Sequence, residues 1–61
     1  LIYLIFINNA NAGFSLVPYA SSDPEEVVYP IAETDLITLA GSDWEDKLDH
    51  LHLVDGQLIF N

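Results

Sequence analysis

The sequence predicts an α+β fold in a single small domain, residues 1–61: an antiparallel sheet closed by a C-terminal Asp-Gly β-hairpin, with short helices at about 33–40 and 43–49. Three observations predict it. Residues 51–60 flank Asp55-Gly56 so that a two-residue turn gathers Leu51, Leu53, Leu58 and Phe60 on one side, residues 1–7 are an unbroken apolar run, and residues 33–41 begin acidic, turn apolar and end on glycine. Those are the marks of a hairpin, a buried strand and a short amphipathic helix.

Taken in order, the run LIYLIFI is rich in Ile, Tyr and Phe and apolar at both alternating sets of positions, which predicts a central strand covered on both faces. Residues 8–13, NNANAG, read as a turn, with Gly13 as the left-handed position. Residues 14–19 read as a second strand, antiparallel to the first, with Pro18 at an edge or bulge because it has no N–H to donate. Asp23, Pro24 and Glu26 have the order of a capping box, which allows one helical turn. Val27, Val28 and Tyr29 then favour extended backbone and Pro30 would break a helix, so residues 27–31 are predicted as a short strand.

Glu33 and Asp35 open the next segment, Leu36, Ile37, Leu39 and Ala40 supply its apolar side, and Gly41 falls near C′. Ser42 and Glu45 form a second potential capping box, and Trp44 with Leu48 makes an i,i+4 apolar pair, which predicts a further helical turn or two.

A two-residue Asp-Gly loop suits a type I′ turn and sets the register. Val54 then faces Gln57, Leu53 faces Leu58, His52 faces Ile59 and Leu51 faces Phe60. In that register Leu51, Leu53, Leu58 and Phe60 share one side, and His50, His52, Val54, Gln57 and Ile59 the other. Two histidines two apart on a strand could share a metal ion with Asp46 or Asp49. The competing reading is that an outward strand position is simply polar and the imidazoles are solvated. The second is preferred, and no metal or cofactor is assigned. A pH-responsive contact is the remaining alternative, since imidazoles beside carboxylates gain charge near neutral pH.

The chain has ten carboxylates against one cation, Lys47, a formal net charge of −9, and nine of the ten fall within residues 23–49. Such a balance leaves almost nothing to neutralise phosphate, which excludes direct nucleic-acid binding and docking on anionic lipid. It permits a basic protein partner, for which Glu25, Glu26, Asp43, Trp44, Glu45, Asp46 and Asp49 are the candidate contact residues. The default for such a charge run is a solvated surface that keeps an apolar domain dispersed.

A hydrophobic fraction of 51% is too high for a disordered acidic tail, while the absence of cysteine removes the usual staples of a small domain. A chain of this size is therefore expected to associate with itself or with a larger protein. The small-x-small order of Ala10-Asn11-Ala12 resembles a signal-peptidase site, yet the basic leading region is missing and the segment is short; a cytoplasmic or virion location is expected, and secretion only if residues 1–12 are a truncated signal peptide.

Catalytic templates are missing. There is no Gly-rich phosphate loop, no nucleophile elbow, no HExxH and no EF-hand spacing. Ser21, Ser22 and Ser42 sit where backbone capping is their ordinary role, and Glu25-Glu26 are adjacent and so diverge. The expectation is a protein without enzymatic activity.

Gly13-Phe14 with Val17-Pro18, the segment 29–36 (YPIAETDL) and the segment 53–58 (LVDGQL) resemble small modules of tailed-phage tail-fibre and tail-fibre-assembly proteins. The resemblance covers most of the chain through short, common patterns. It implies a virion or assembly protein that acts by contact, with no catalytic residues. The alternative is an acidic inhibitor that occupies a basic nucleic-acid-binding surface by charge mimicry.

Overall fold

The computed structural model describes residues 1–61. Five strands, β1 (Ile2–Ile7), β2 (Ala10–Ser15), β3 (Glu26–Ile31), β4 (Leu51–Val54) and β5 (Gln57–Phe60), form one antiparallel sheet in the order β3-β1-β2-β4-β5. Helix α1 (Glu33–Ala40) and a 3-10 segment (Trp44–His50) kinked at Lys47 lie between β3 and β4 in the chain. The class is mixed α+β.

Alternation along β1 decides where the core lies. Ile2, Leu4 and Phe6 are buried, and Leu36 and Ala40 of α1, Trp44 of the 3-10 segment, and Leu51 and Leu53 of β4 join them in one cluster. Tyr3, Ile5 and Ile7 on the other side are only half-buried. The expectation that β1 is covered on both faces is corrected on this point: the helical residues that enter the core all reach the Leu4 side.

The first turn is tighter than residues 8–13. Asn8 and Asn9, at φ 52° and 71°, form a two-residue loop that closes on the pair Ile7–Ala10. Asn tolerates this left-handed backbone better than any other non-glycine residue, and two consecutive positive φ values match the twist of the strands they join. The following residues are strand rather than loop. Between Ile5–Gly13 and Phe6–Asn11 the register slips by one, leaving Ala12 as a bulge, and Gly13 at φ 145° belongs to that irregularity.

β2 ends at Ser15, short of the predicted Tyr19. The Ser15 hydroxyl accepts the Val17 N–H at 3.2 Å and donates to the Val17 carbonyl at 2.8 Å, so the side chain takes over backbone groups that a strand would have paired. Pro18 lies beyond the sheet. Residues 16–25 then carry the chain the length of β1, from the end marked by Tyr3–Ser15 to the end marked by Ile7–Glu26.

No helical turn forms at Asp23. Its side chain accepts the Glu25 N–H at 2.9 Å and its carbonyl accepts the Glu26 N–H at 3.1 Å, which is a reverse turn leading straight into β3. Pro30 pairs with Tyr3 on this strand, and β3 is an edge, the one setting where a residue without an N–H leaves the ladder whole.

α1 begins after Ala32 and ends at Gly41, whose N–H donates to the Ile37 carbonyl at 2.8 Å. Gly41 sits at φ 98°, ψ 167°, backbone that only glycine adopts at ease. The Ser42–Glu45 capping box does not form. Asp43 occupies the N-cap of the 3-10 segment without a capping bond, and its carboxylate instead pairs with Lys47 at 3.2 Å.

β2 and β4 meet only at Ala10–His52, supported by the Leu53 N–H donating to the Asn9 carbonyl at 3.0 Å. Past that bridge the 3-10 segment lies against β2, with Trp44 edge-on to Phe14 at 5.0 Å between ring centroids. β4 and β5 pair Leu51–Phe60, His52–Ile59, Leu53–Leu58 and Val54–Gln57, with Asp55 and Gly56 between them at φ 52° and 79°. Leu58 and Phe60 pack on the core beside buried Leu51 and Leu53.

Candidate interaction surface

The proposed contact residues separate into three kinds. Trp44 is 2% exposed and belongs to the core, so it is withdrawn as a contact residue: Leu48, beyond a kink at Lys47, packs against the same core, and Phe14 meets the indole in an edge-to-face pair. Glu26 is half-buried and accepts the Tyr19 hydroxyl at 2.8 Å. That bond, with the Glu26 charge beside it, pushes the Tyr19 phenol above its ordinary value. Asp43 is exposed but engaged, and the Lys47 ammonium holds its carboxyl below the usual range.

Glu25, Glu45, Asp46 and Asp49 are exposed. Glu25 lies in the turn before β3, whereas Glu45, Asp46 and Asp49 lie on the 3-10 segment, so the acidic residues occupy two separate elements.

The histidines do not share a strand face. β4 starts at Leu51, and His50 is the last residue of the 3-10 segment, which removes it from the i,i+2 rule. Its ring tilts against Phe60 with centroids 5.9 Å apart, and Nδ1 donates to the Asn61 backbone oxygen at 2.8 Å, which fixes the proton on Nδ1. Nε2 lies 4.0 Å from Asp49, the outer limit of an ion pair. No three side chains among His, Asp and Glu come together as a metal-binding group.

Sequence reasoning passed over a different set. Val54 and Ile59, 46% and 39% exposed, stand on the outward side of β4 and β5, with half-buried His52 between them in the register. Leu16 and Val17, 68% and 66% exposed, project after β2 ends. The signal for the first pair was present in the alternation of residues 51–60. For the second it was Pro18, which has no N–H to carry a ladder on and was read only as an edge or bulge within a longer strand.

The two sheet edges differ. β3 carries Glu26 and Pro30, both of which discourage a further strand. β5 has neither charge nor proline along Gln57-Leu58-Ile59-Phe60 and pairs only with β4. No family model, curated protein or solved structure matches the chain. No helix is long and apolar enough to cross a membrane.

Proposed function

We propose that the protein is a non-enzymatic interaction module that acts by contact as part of a larger assembly, with the Asp-Gly hairpin of residues 51–60 as the element that presents its surface. One observation carries this reading: the β4–β5 end of the sheet combines exposed Val54 and Ile59 with an uncharged, unpaired outer edge. Exposed aliphatic side chains beside an open edge provide area and main-chain hydrogen bonds together. The narrower form, a phage virion or tail-fibre-associated protein, is supported by the sequence resemblance of residues 29–36 and 53–58.

A second reading, charge mimicry against a basic nucleic-acid-binding protein, is favoured by the exposed carboxylates Glu25, Glu45, Asp46 and Asp49 in a chain of net charge −9. Salt separates the two, because surface charge contacts are screened over about 8 Å at physiological ionic strength whereas apolar and main-chain contacts are not.

Co-expression with the products of adjacent genes, followed by size exclusion at about 0.5 M salt, where screening is strong, tests the first reading. A complex or homo-oligomer that survives supports it. Loss of every association at that salt, with binding to a polycationic probe at low salt, would replace it by mimicry.

A further inference from the structure

We infer that the partner at the β5 edge is a second copy of this chain, joined by antiparallel β5–β5′ pairing centred on Ile59. This rests on the contact reading above and names the occupant of that surface.

The backbone directions of β5 follow from the pairs already given. The Asn61 N–H donates to the His50 carbonyl at 2.8 Å, so the amide just past β5 points toward the β4 side. Amide directions alternate along a strand, so Ile59 and Gln57 also point toward β4, and His52–Ile59 and Val54–Gln57 are hydrogen-bonded while Leu51–Phe60 and Leu53–Leu58 are not. The Leu53 N–H agrees, since it points the other way, to Asn9. The N–H and C=O groups of Leu58 and Phe60 therefore face outward from the sheet.

A second copy running antiparallel satisfies both residues at once. If Leu58 pairs with Phe60 of a second copy, then Phe60 pairs with that copy's Leu58, and Ile59 meets Ile59 at the two-fold axis. The interface is isologous: each copy offers the same two donors and two acceptors. The side chains agree with the backbone. Half-buried Leu58 and Phe60 come side by side on the core side of both sheets, and exposed Ile59 is covered by its mate on the other.

Charge supports the choice of this edge. Nine of the ten carboxylates fall within residues 23–49, and none lies within residues 57–61, so two chains of charge −9 can approach along β5 without opposing like charges across the ladder. At the β3 edge, Glu26 and Pro30 work against the same arrangement. Four-residue edges make a small interface, which sets the expected association in the weak class.

Two measurements on the intact chain test this. Amide exchange at rising protein concentration, up to about 1 mM, where even a weak dimer of this class populates, is expected to slow at Leu58 and Phe60 and to stay unchanged at Ile59, whose N–H is already bonded within the sheet. Sedimentation equilibrium of Ile59→Lys, with circular dichroism to confirm folding, is expected to show self-association weakened at least about tenfold. A wild-type chain that stays monomeric to that concentration overturns the pairing. So does a dimer whose Leu58 and Phe60 amides exchange as in the monomer. In either case a salt-resistant complex with another protein would leave the contact reading standing, and its absence would remove both.

Discussion

Trp44→Ala removes the largest side chain in a core of eight buried residues. The indole is 2% exposed, stands edge-on to Phe14 at 5.0 Å and shares its cluster with Leu36 and Ala40, so truncation takes away a fully buried ring and one aromatic pair. Replacing a buried Trp by Ala costs about 3–5 kcal/mol, of which the aromatic pair accounts for about 0.5–1.5 kcal/mol. Native domains hold about 0.05–0.15 kcal/mol per residue, so a chain this short has roughly 3–9 kcal/mol to lose.

The expected outcome is a variant that loses at least about a third of its stability and, at the low end of that range, lies at or past its midpoint of unfolding in water at room temperature. Urea titration followed by far-ultraviolet circular dichroism measures it, with Trp44→Phe, which keeps a ring against Phe14, expected to lose about 1–2 kcal/mol. A loss below about 1 kcal/mol for Trp44→Ala, in the range of ordinary surface substitutions, would refute the placement of Trp44 in the core and restore it as a contact residue.

Leu53 is buried and His52 stands on the outward side, so Leu53→Asp is expected to unfold or nearly unfold the domain, at a cost of at least about 3 kcal/mol, while His52→Asn stays within about 0.5 kcal/mol; the reverse order in a melting experiment would invert the two faces of β4. Gly41→Ala is expected to cost about 1–3 kcal/mol, since the backbone is at φ 98° and a Cβ would come 2.9 Å from Asp43 Oδ1; an unchanged melting temperature would contradict that backbone. The Tyr19 phenol is expected to titrate above its ordinary 10.0 and to move back down in Glu26→Gln, read from phenolate absorbance against Tyr19→Phe. Because the folded value is raised, the stabilisation linked to this bond is present in full below 10.0 and is lost as pH climbs through the folded value; a bond that persisted above it would break the assignment.

Local chemistry made part of the molecule legible. α1 falls on residues 33–40 as predicted, because its ends are marked by residues that act locally: acidic side chains at the start and, at the finish, a glycine that accepts backbone closed to others. β1 was legible as a strand, but the second cover its composition suggested is not there, since what packs on a face is a property of the whole topology. The Asn8-Asn9 turn was hidden by its surroundings. Asn11, Ala12 and Gly13 also look like loop residues, and only pairing with β1 turns them into a bulged strand.

At the candidate surface the difficulty was direction. Trp44 is flanked by Asp43, Glu45 and Asp46, and composition alone placed it among the charges. Its pair with Leu48 held the better signal. His50 was misassigned to the face of His52 for a related reason: a one-residue difference in where the 3-10 segment ends removes it from the alternation.

We propose above that this protein works by apolar and main-chain contact and not by charge. Sedimentation equilibrium of the wild-type chain, alone and with its co-expressed partner, from about 0.05 M to about 0.5 M salt tests it most directly, because that range shortens the screening length severalfold. Association is expected to persist across the range, and for the chain alone to strengthen with salt as repulsion between copies of charge −9 is screened. Association that disappears as salt rises would contradict it.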